Sequence, residues 1–320
     1  IYSRLGLYEE AESLLKKAIE IRDQLLGETS RDNEWSLYHL AILYQTLGRY
    51  AEAEQLQRRV LAIREKLLDP GHIALVDSLD CMATLVSLQG KYEEAEPMYQ
   101  RALAIAEEKW GTDDTAVAVI LANLGNNYTV QERHDEAEPH LRRALEILEP
   151  ALTIEHPAAA NVAQNLAISL KNQSKYEEAR ALFERALAAQ EKVLGSSHID
   201  VANTLNGLAE LHNRQEMYDE AESLFRRALV ILEESVGEEH RYTATTLHGL
   251  ANLCRDQDRY SEAEPFYERA LAIRERLLGP NHPQVAETLE DYADFLRKAG
   301  REAVAAAIES RISAARAESS

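Results

Sequence analysis

Apolar residues recur along this chain at i, i+3, i+4 and i+7, the spacing that lines one face of an α-helix. Leu205, Leu208, Ala209 and His212 are matched by Leu247, Leu250, Ala251 and Cys254. A second stripe runs Tyr218, Ala221, Leu224, Phe225, Ala228 and Leu229. Short polar turns such as Leu47-Gly48-Arg49 and Gln89-Gly90-Lys91 separate the two kinds of stripe, so the repeating unit is predicted to be a pair of antiparallel helices, A then B. Helix B ends at Leu-Gly, where glycine supplies a left-handed cap. The next helix A opens near His156-Pro157 or His282-Pro283, where proline suits the first turn. No segment alternates as a strand would.

Shifting the chain on itself by 42 residues superimposes Tyr8, Tyr50, Tyr92, His134, Tyr176, Tyr218 and Tyr260. Each stands three residues before an alanine of the series Ala11, Ala53, Ala95, Ala137, Ala179, Ala221, Ala263 and Ala305. Arg59, Arg101, Arg143, Arg185, Arg227, Arg269 and Arg311 share one phase, as do Gly27, Gly111, Gly195, Gly237 and Gly279. A fixed period of this size predicts an array in which each unit stacks on its neighbours. The arginines are expected to pair with nearby carboxylates such as Glu52 or Glu94. His72, His156, His198, His240 and His282 share a phase just before helix A and read as turn or cap residues rather than metal ligands.

The recurring Tyr-Glu-Glu-Ala, Arg-Ala-Leu and Leu-Gly-x-x-His segments, seen in Lys91-Tyr92-Glu93-Glu94-Ala95-Glu96-Pro97 and Arg101-Ala102-Leu103, resemble tetratricopeptide repeats. The type is the 42-residue one of kinesin light chains and related bacterial proteins. The resemblance covers essentially the whole chain and implies an all-α fold, a right-handed superhelical solenoid of antiparallel helix pairs. Residues 1–29 read as a partial first repeat, 30–300 as about six and a half repeats, and 301–320 as a degenerate capping helix and tail. The register opens near the end of a helix A, so the chain reads as part of a longer protein. Pro150 late in one helix B, with Thr153 in place of the usual glycine, predicts a local break, read as a plain early stop of the helix, with a hinge as the alternative.

Composition narrows the function classes. Lys and Arg number 35 against 55 Asp and Glu, a net charge of −20 that opposes a phosphate-binding surface and makes nucleic acid an unexpected partner. Cys81 and Cys254 have no CxxC or His-spaced partner, which points to neither disulfide nor zinc and to a reducing, cytoplasmic setting. No apolar stretch reaches the roughly 18 to 20 residues needed to span a bilayer, and Ile1-Tyr2-Ser3-Arg4 opens no signal or transit peptide.

Residues that vary at a repeated phase carry the functional signal. Ten of the twelve asparagines lie on A helices: Asn123, Asn126, Asn127, Asn161, Asn165, Asn172, Asn203, Asn206, Asn213 and Asn252. Asparagine costs up to about 0.7 kcal/mol relative to alanine inside a helix, so something must offset the clustering. Asn161, Asn165 and Asn172, like Asn203, Asn206 and Asn213, project from one face, expected to be exposed opposite the leucine stripe. The resemblance implies that A helices line a concave groove in which asparagines of a Leu-Asn-Asn-Leu-Ala segment hold an extended peptide. A carboxamide both donates and accepts, and so matches a peptide main chain. The doubled asparagine is nowhere intact here, and Tyr38-His39 and Asp80-Cys81 replace it in two early units, so the site is expected in repeats three to six. Gly207 and Gly249 fall mid-helix, where they admit either a ligand backbone or a close neighbouring helix.

Lys171, Arg214, Arg255, Arg297 and Lys298 stand late in the A helices, while Glu34, Asp77 and Asp80 occupy the early ones. A groove graded from acidic to basic would attract an acidic stretch of a partner. No phosphate loop, GxSxG, HExxH or catalytic Cys/His spacing occurs, and Glu9-Glu10, Glu93-Glu94 and Glu177-Glu178 recur as first-turn carboxylates, so no catalytic residue, metal or cofactor is expected. The function expected is a non-enzymatic scaffold that binds a partner's extended peptide through the asparagines above, Lys171, Arg214 and Arg255. The alternative is a structural or regulatory spacer that self-associates or packs on an effector domain. The sequence leaves the oligomeric state open.

Overall fold

The computed structural model describes residues 8–27, 29–152 and 156–318. They divide into two compact units, 1–147 and 148–320. The first holds α1 (Tyr8–Leu26), a 3-10 turn at Arg31–Asn33, α2 (Glu34–Thr46), α3 (Tyr50–Leu67), α4 (Ala74–Leu88), α5 (Tyr92–Trp110) and α6 (Thr115–Thr129). The division falls inside α7 (His134–Leu152). The second holds α8 (Pro157–Asn172), α9 (Tyr176–Leu194), α10 (Ile199–Arg214), α11 (Tyr218–Ser235), α12 (Arg241–Asp256), α13 (Tyr260–Leu278), α14 (Pro283–Lys298) and α15 (Glu302–Glu318). Among the described residues there is no strand. Even-numbered helices from α2 to α14 are A helices, and odd-numbered ones are B helices.

Every turn is built by the same chemistry at the same phase. Between A and B, the backbone N–H of Arg49, Lys91, Arg133, Lys175, Met217, Arg259 and Arg301 donates to a carbonyl five residues back, at 2.8–3.1 Å. This six-to-one bond closes a Schellman turn, which needs a left-handed residue just before the donor. Gly48, Gly90 and Gly300 fill that place, but so do Glu132, Ser174, Glu216 and Asp258, with φ near 60°. Between B and A, the side chains of Ser30, His72, Asp114, His156, His198, His240 and His282 accept the backbone N–H two residues on, at 2.8–3.3 Å. The repeated histidines are therefore helix caps whose Nδ1 lone pair takes up an otherwise orphaned donor.

The repeated alanines form the seam of each helix pair: Ala53, Ala95, Ala137, Ala179, Ala221 and Ala263 are fully buried, and Ala11 and Ala305 nearly so. Gly207 and Gly249 answer to neighbouring helices. A Cβ there would lie 2.5 Å from the Phe183 ring on α9 or 2.4 Å from the Phe225 ring on α11, so glycine makes room for an aromatic side chain of the preceding B helix.

The repeated arginines pair differently from expectation. Arg59 meets Asp23 at 2.9 Å, Arg101 meets Glu65 at 2.5 Å, Arg143 meets Glu107 at 2.6 Å, Arg185 meets Glu149 at 2.7 Å and Arg269 meets Glu233 at 2.9 Å, while Arg227 pairs with Glu191 and Arg311 with Glu275. Each partner lies 36 residues back on the preceding B helix. Glu52 and Glu94 are taken instead by Arg49 and Arg58. Such half-exposed pairs contribute at most about 1 kcal/mol each, and their effect is to set the registration of successive B helices.

The expected early stop at Pro150 does not occur: α7 runs through it to Leu152 and matches the length of α5, α9 and α13. Proline so near a helix end frees only a carbonyl in the last turns, where carbonyls are commonly solvated. Thr153 lies outside the described residues. At the other end α15 buries Ala305, Ile308 and Ile312 and leaves most of its remaining described side chains exposed.

Candidate interaction face on the A helices

Neighbouring A helices pack closely enough that residues about 40 positions apart meet, and this decides the fate of most candidate asparagines. In the second unit Asn206 donates to Thr246 Oγ1 at 2.8 Å and Asn213 to Asp256 Oδ2 at 2.9 Å. Asn252 donates to Asp291 Oδ2 at 3.0 Å and accepts from the Tyr267 hydroxyl at 2.5 Å. Asn161 accepts from the buried Gln190 at 3.0 Å. In the first unit Asn123 donates to Asp80 at 2.9 Å and the buried Asn127 to the carbonyl of Tyr92 at 3.1 Å. These asparagines staple helices. A hydrogen bond of about 1 kcal/mol offsets the helix-propensity cost that makes their clustering improbable.

The expectation of a uniformly exposed row is corrected on this point. Asn206 is only 4% exposed and Lys171 2%, because each is covered by the next A helix. Lys171 forms an ion pair with Glu210. Burial pushes the Glu210 carboxyl up, and Lys171 more than reverses that, leaving it below the ordinary carboxylate range. Arg255 lies between Asp256 at 3.0 Å and Asp291 at 3.1 Å, and His248 Nε2 is 2.8 Å from the same Asp291. Burial pushes Asp291 up, but His248, Asn252 and Arg255 outweigh it and hold this carboxyl far below its usual range. Arg297 pairs with Glu309 and Lys298 with Asp294, so the basic run predicted late in the A helices is largely neutralised within the fold.

Asn165, Asn172 and Asn203 are half-buried and make no hydrogen bond among the described residues, and exposed Arg214 has no ion pair there. Asn126 is exposed on α6 of the first unit. The unengaged set on α8 and α10 thus offers three carboxamides and one guanidinium, a surface suited to a polar main chain with an acidic neighbour. Sequence reasoning missed the helix-bridging partners Gln190, Thr246 and Asp291; the signal for the first two was polarity at mostly buried phases, while Asp291 stands at a phase that is half-buried in most repeats. Among the described residues no group of His, Cys, Asp and Glu is arranged to hold a metal ion, and no helix is long and apolar enough to cross a membrane.

Stacked helix pairs with a polar A face define an α-helical repeat scaffold for protein interaction. The sequence matches the tetratricopeptide repeat model in seven overlapping windows, 1–66, 32–108, 72–149, 116–192, 155–234, 200–276 and 242–318, and the chain belongs to that family. No curated protein sequence matches it. Among solved structures, BtubC (BKLC) from P. vanneervenii is 25% identical with a TM-score of 0.52, over 73% of this chain and 92% of that one. A Podospora anserina chain of nearly identical TPR-like repeats, described as a kinesin light chain, is 22% identical with a TM-score of 0.51, over 64% and 97%. A Rap protein complexed with Competence and Sporulation Factor shares the fold at 17% identity and a TM-score of 0.74, over 96% and 80%.

Proposed function

We propose that the A face of the second unit binds an extended segment of a partner protein. Asn165, Asn172 and Asn203 hold its main chain, and Arg214 takes one acidic side chain. The observation that supports this reading is the contrast within a single face: Asn206, Asn213, Asn252, Lys171 and Arg255 are bonded to neighbouring helices, while these four side chains are left with donors and acceptors unspent. Asparagine that serves no helix contact costs helix stability and finds its compensation in a ligand. The acidic stretch expected of the partner is narrowed to a single carboxylate, since Lys171 and Arg255 are already paired. The Rap protein solved with its factor is an instance of this fold in complex with a separate molecule.

The test is selection of displayed random peptides on the intact chain and on its Asn172→Ala, Asn203→Ala variant. Neither substitution removes an internal bond, so circular dichroism of the two proteins should agree. Peptides enriched on the parent alone are the expected result. Equal enrichment on both, or none on either, would reject the site and favour the spacer role.

A further inference from the structure

The A face of the first unit has a different chemistry from that of the second. At the phase of Asn203 stand Trp35 on α2, Asp77 on α4 and Val119 on α6; at that of Asn206, Asp80 on α4. Trp35 is 65% exposed and Val119 45%, and the Trp35 ring is seated on His39 with centroids 4.1 Å apart. An exposed tryptophan beside a second ring offers a partner side chain a broad apolar surface.

Asp77 and Asp80 stand out in a chain whose B-helix carboxylates are matched to arginines in register. Asp77 is exposed and has no cationic partner among the described residues; half-buried Asp80 has only the neutral amide of Asn123. The two lie i, i+3 on one helix, where like charges repel. Burial, and after it the charge of Asp77, raises the Asp80 carboxyl above its ordinary range, partly countered by Asn123. Among the described residues neither carboxylate is ion-paired with a lysine or arginine; Arg64, which reaches α4 at Ser78 and the Ala74 carbonyl, is paired with Glu34.

We infer that the A face of the first unit docks a partner segment that sets an arginine or lysine over Asp77 and Asp80 on α4 and lays a flanking aliphatic or aromatic side chain against Trp35 on α2 to one side and a second against Val119 on α6 to the other. Charge complementarity selects the cation, because the carboxylates are unmatched and flank an apolar surface where an anion would be repelled. Arginine fits best: its planar fork meets a carboxylate in two bonds and its face stacks on an indole. This surface is independent of the asparagine site on the second unit and has the opposite charge preference.

Two pools of short random peptides, one fixed on a central Arg-Leu and the other on Glu-Leu, test the inference on the intact chain. The Arg-Leu pool should be retained at least tenfold better, with retention falling as salt rises and dropping at least tenfold on an Asp77→Asn, Asp80→Asn variant. These substitutions keep side-chain shape and the acceptor for Asn123, and circular dichroism checks the fold. Binding should also shift tryptophan emission in the parent but not in Trp35→Phe, where Trp110 remains. Equal retention of the two pools, or Arg-Leu binding unaffected by the Asp77/Asp80 variant, would overturn the inference. Loss of Arg-Leu binding in Asn172→Ala, Asn203→Ala would move those peptides to the second unit, sinking this inference while sparing the other site. Self-association of the chain abolished by the Asp77/Asp80 variant would make a second copy the occupant and likewise overturn it.

Discussion

The asparagines of the A helices divide into those bonded to a neighbouring element and those left unbonded among the described residues, and stability measurements separate the two sets by sign. Asn203 makes no hydrogen bond among the described residues, so Asn203→Ala removes none of those bonds and gains helix propensity, up to about 0.7 kcal/mol. Asn252 bridges Asp291 and the hydroxyl of Tyr267, a fully buried side chain. Asn252→Ala gains the same propensity but strands a buried hydroxyl, a loss of about 1–3 kcal/mol, and net destabilisation of about 1–2 kcal/mol is expected. Urea denaturation followed by circular dichroism reads both, and two changes of the same sign would contradict the division. The clustering of asparagine on A helices was legible from the sequence because propensity makes it costly. Which asparagine reaches a partner was not: Asn203 and Asn206 are three residues apart, yet only Asn206 meets Thr246, and that depends on the spacing and rotation of successive A helices. The unmatched Asp77 and Asp80 were visible as acidic positions, but their lack of a counter-ion required knowing where every arginine goes.

At the level of elements, the turns are where one-dimensional pattern and three-dimensional structure agree most closely, because a cap is a local arrangement within a few residues. Five of the seven capping side chains that precede the A helices are histidines that accept through Nδ1, a role open only to neutral imidazole. Burial, reinforced by Arg241, pushes the His240 pKa down from its usual value, and burial lowers His140 and His212 as well. A base with a lowered folded-state pKa binds its proton more readily when unfolded. Its contribution is therefore present above the unfolded value, near 6.5, and is lost as pH falls below it. Stability should drop between about pH 7 and pH 5. His240→Asp, which installs the cap residue already used at Asp114, should reduce that drop by a part of the roughly 1 kcal/mol a cap supplies. Thermal midpoints at the two pH values decide the matter; an unchanged difference in the variant would show that His240 does not contribute to the drop as argued. The arginine ladder was legible only as a ladder. Its rungs reach 36 residues back, a distance set by the stacking of B helices and not by any local rule.

For the molecule as a whole, what matters is that contacts are made between successive helices, so stability should be a sum of local terms with short reach. The buried alanines, the glycine–phenylalanine fits and the B-helix ion pairs all join one repeat to the next. Gly249 is a sharp probe of this, since its missing Cβ would sit 2.4 Å from the Phe225 ring. Gly249→Val places three extra carbons there and forces α11 and α12 apart, a cost of about 1–3 kcal/mol or more by overpacking. Amide hydrogen exchange should then quicken across α11, α12 and α13 and stay at its parental rate in α3, α4 and α5. Uniform quickening along the chain would instead mean that the repeats unfold as one cooperative body. The same variant joins stability to function: α12 holds α10 through the Asn206–Thr246 bond, so displacing α12 should weaken capture by Asn203 and Arg214 on α10 and leave intact the binding of cationic peptides to Asp77 and Asp80. A repeat array would let the two proposed faces, of opposite charge preference, each be tuned or lost without unfolding the other.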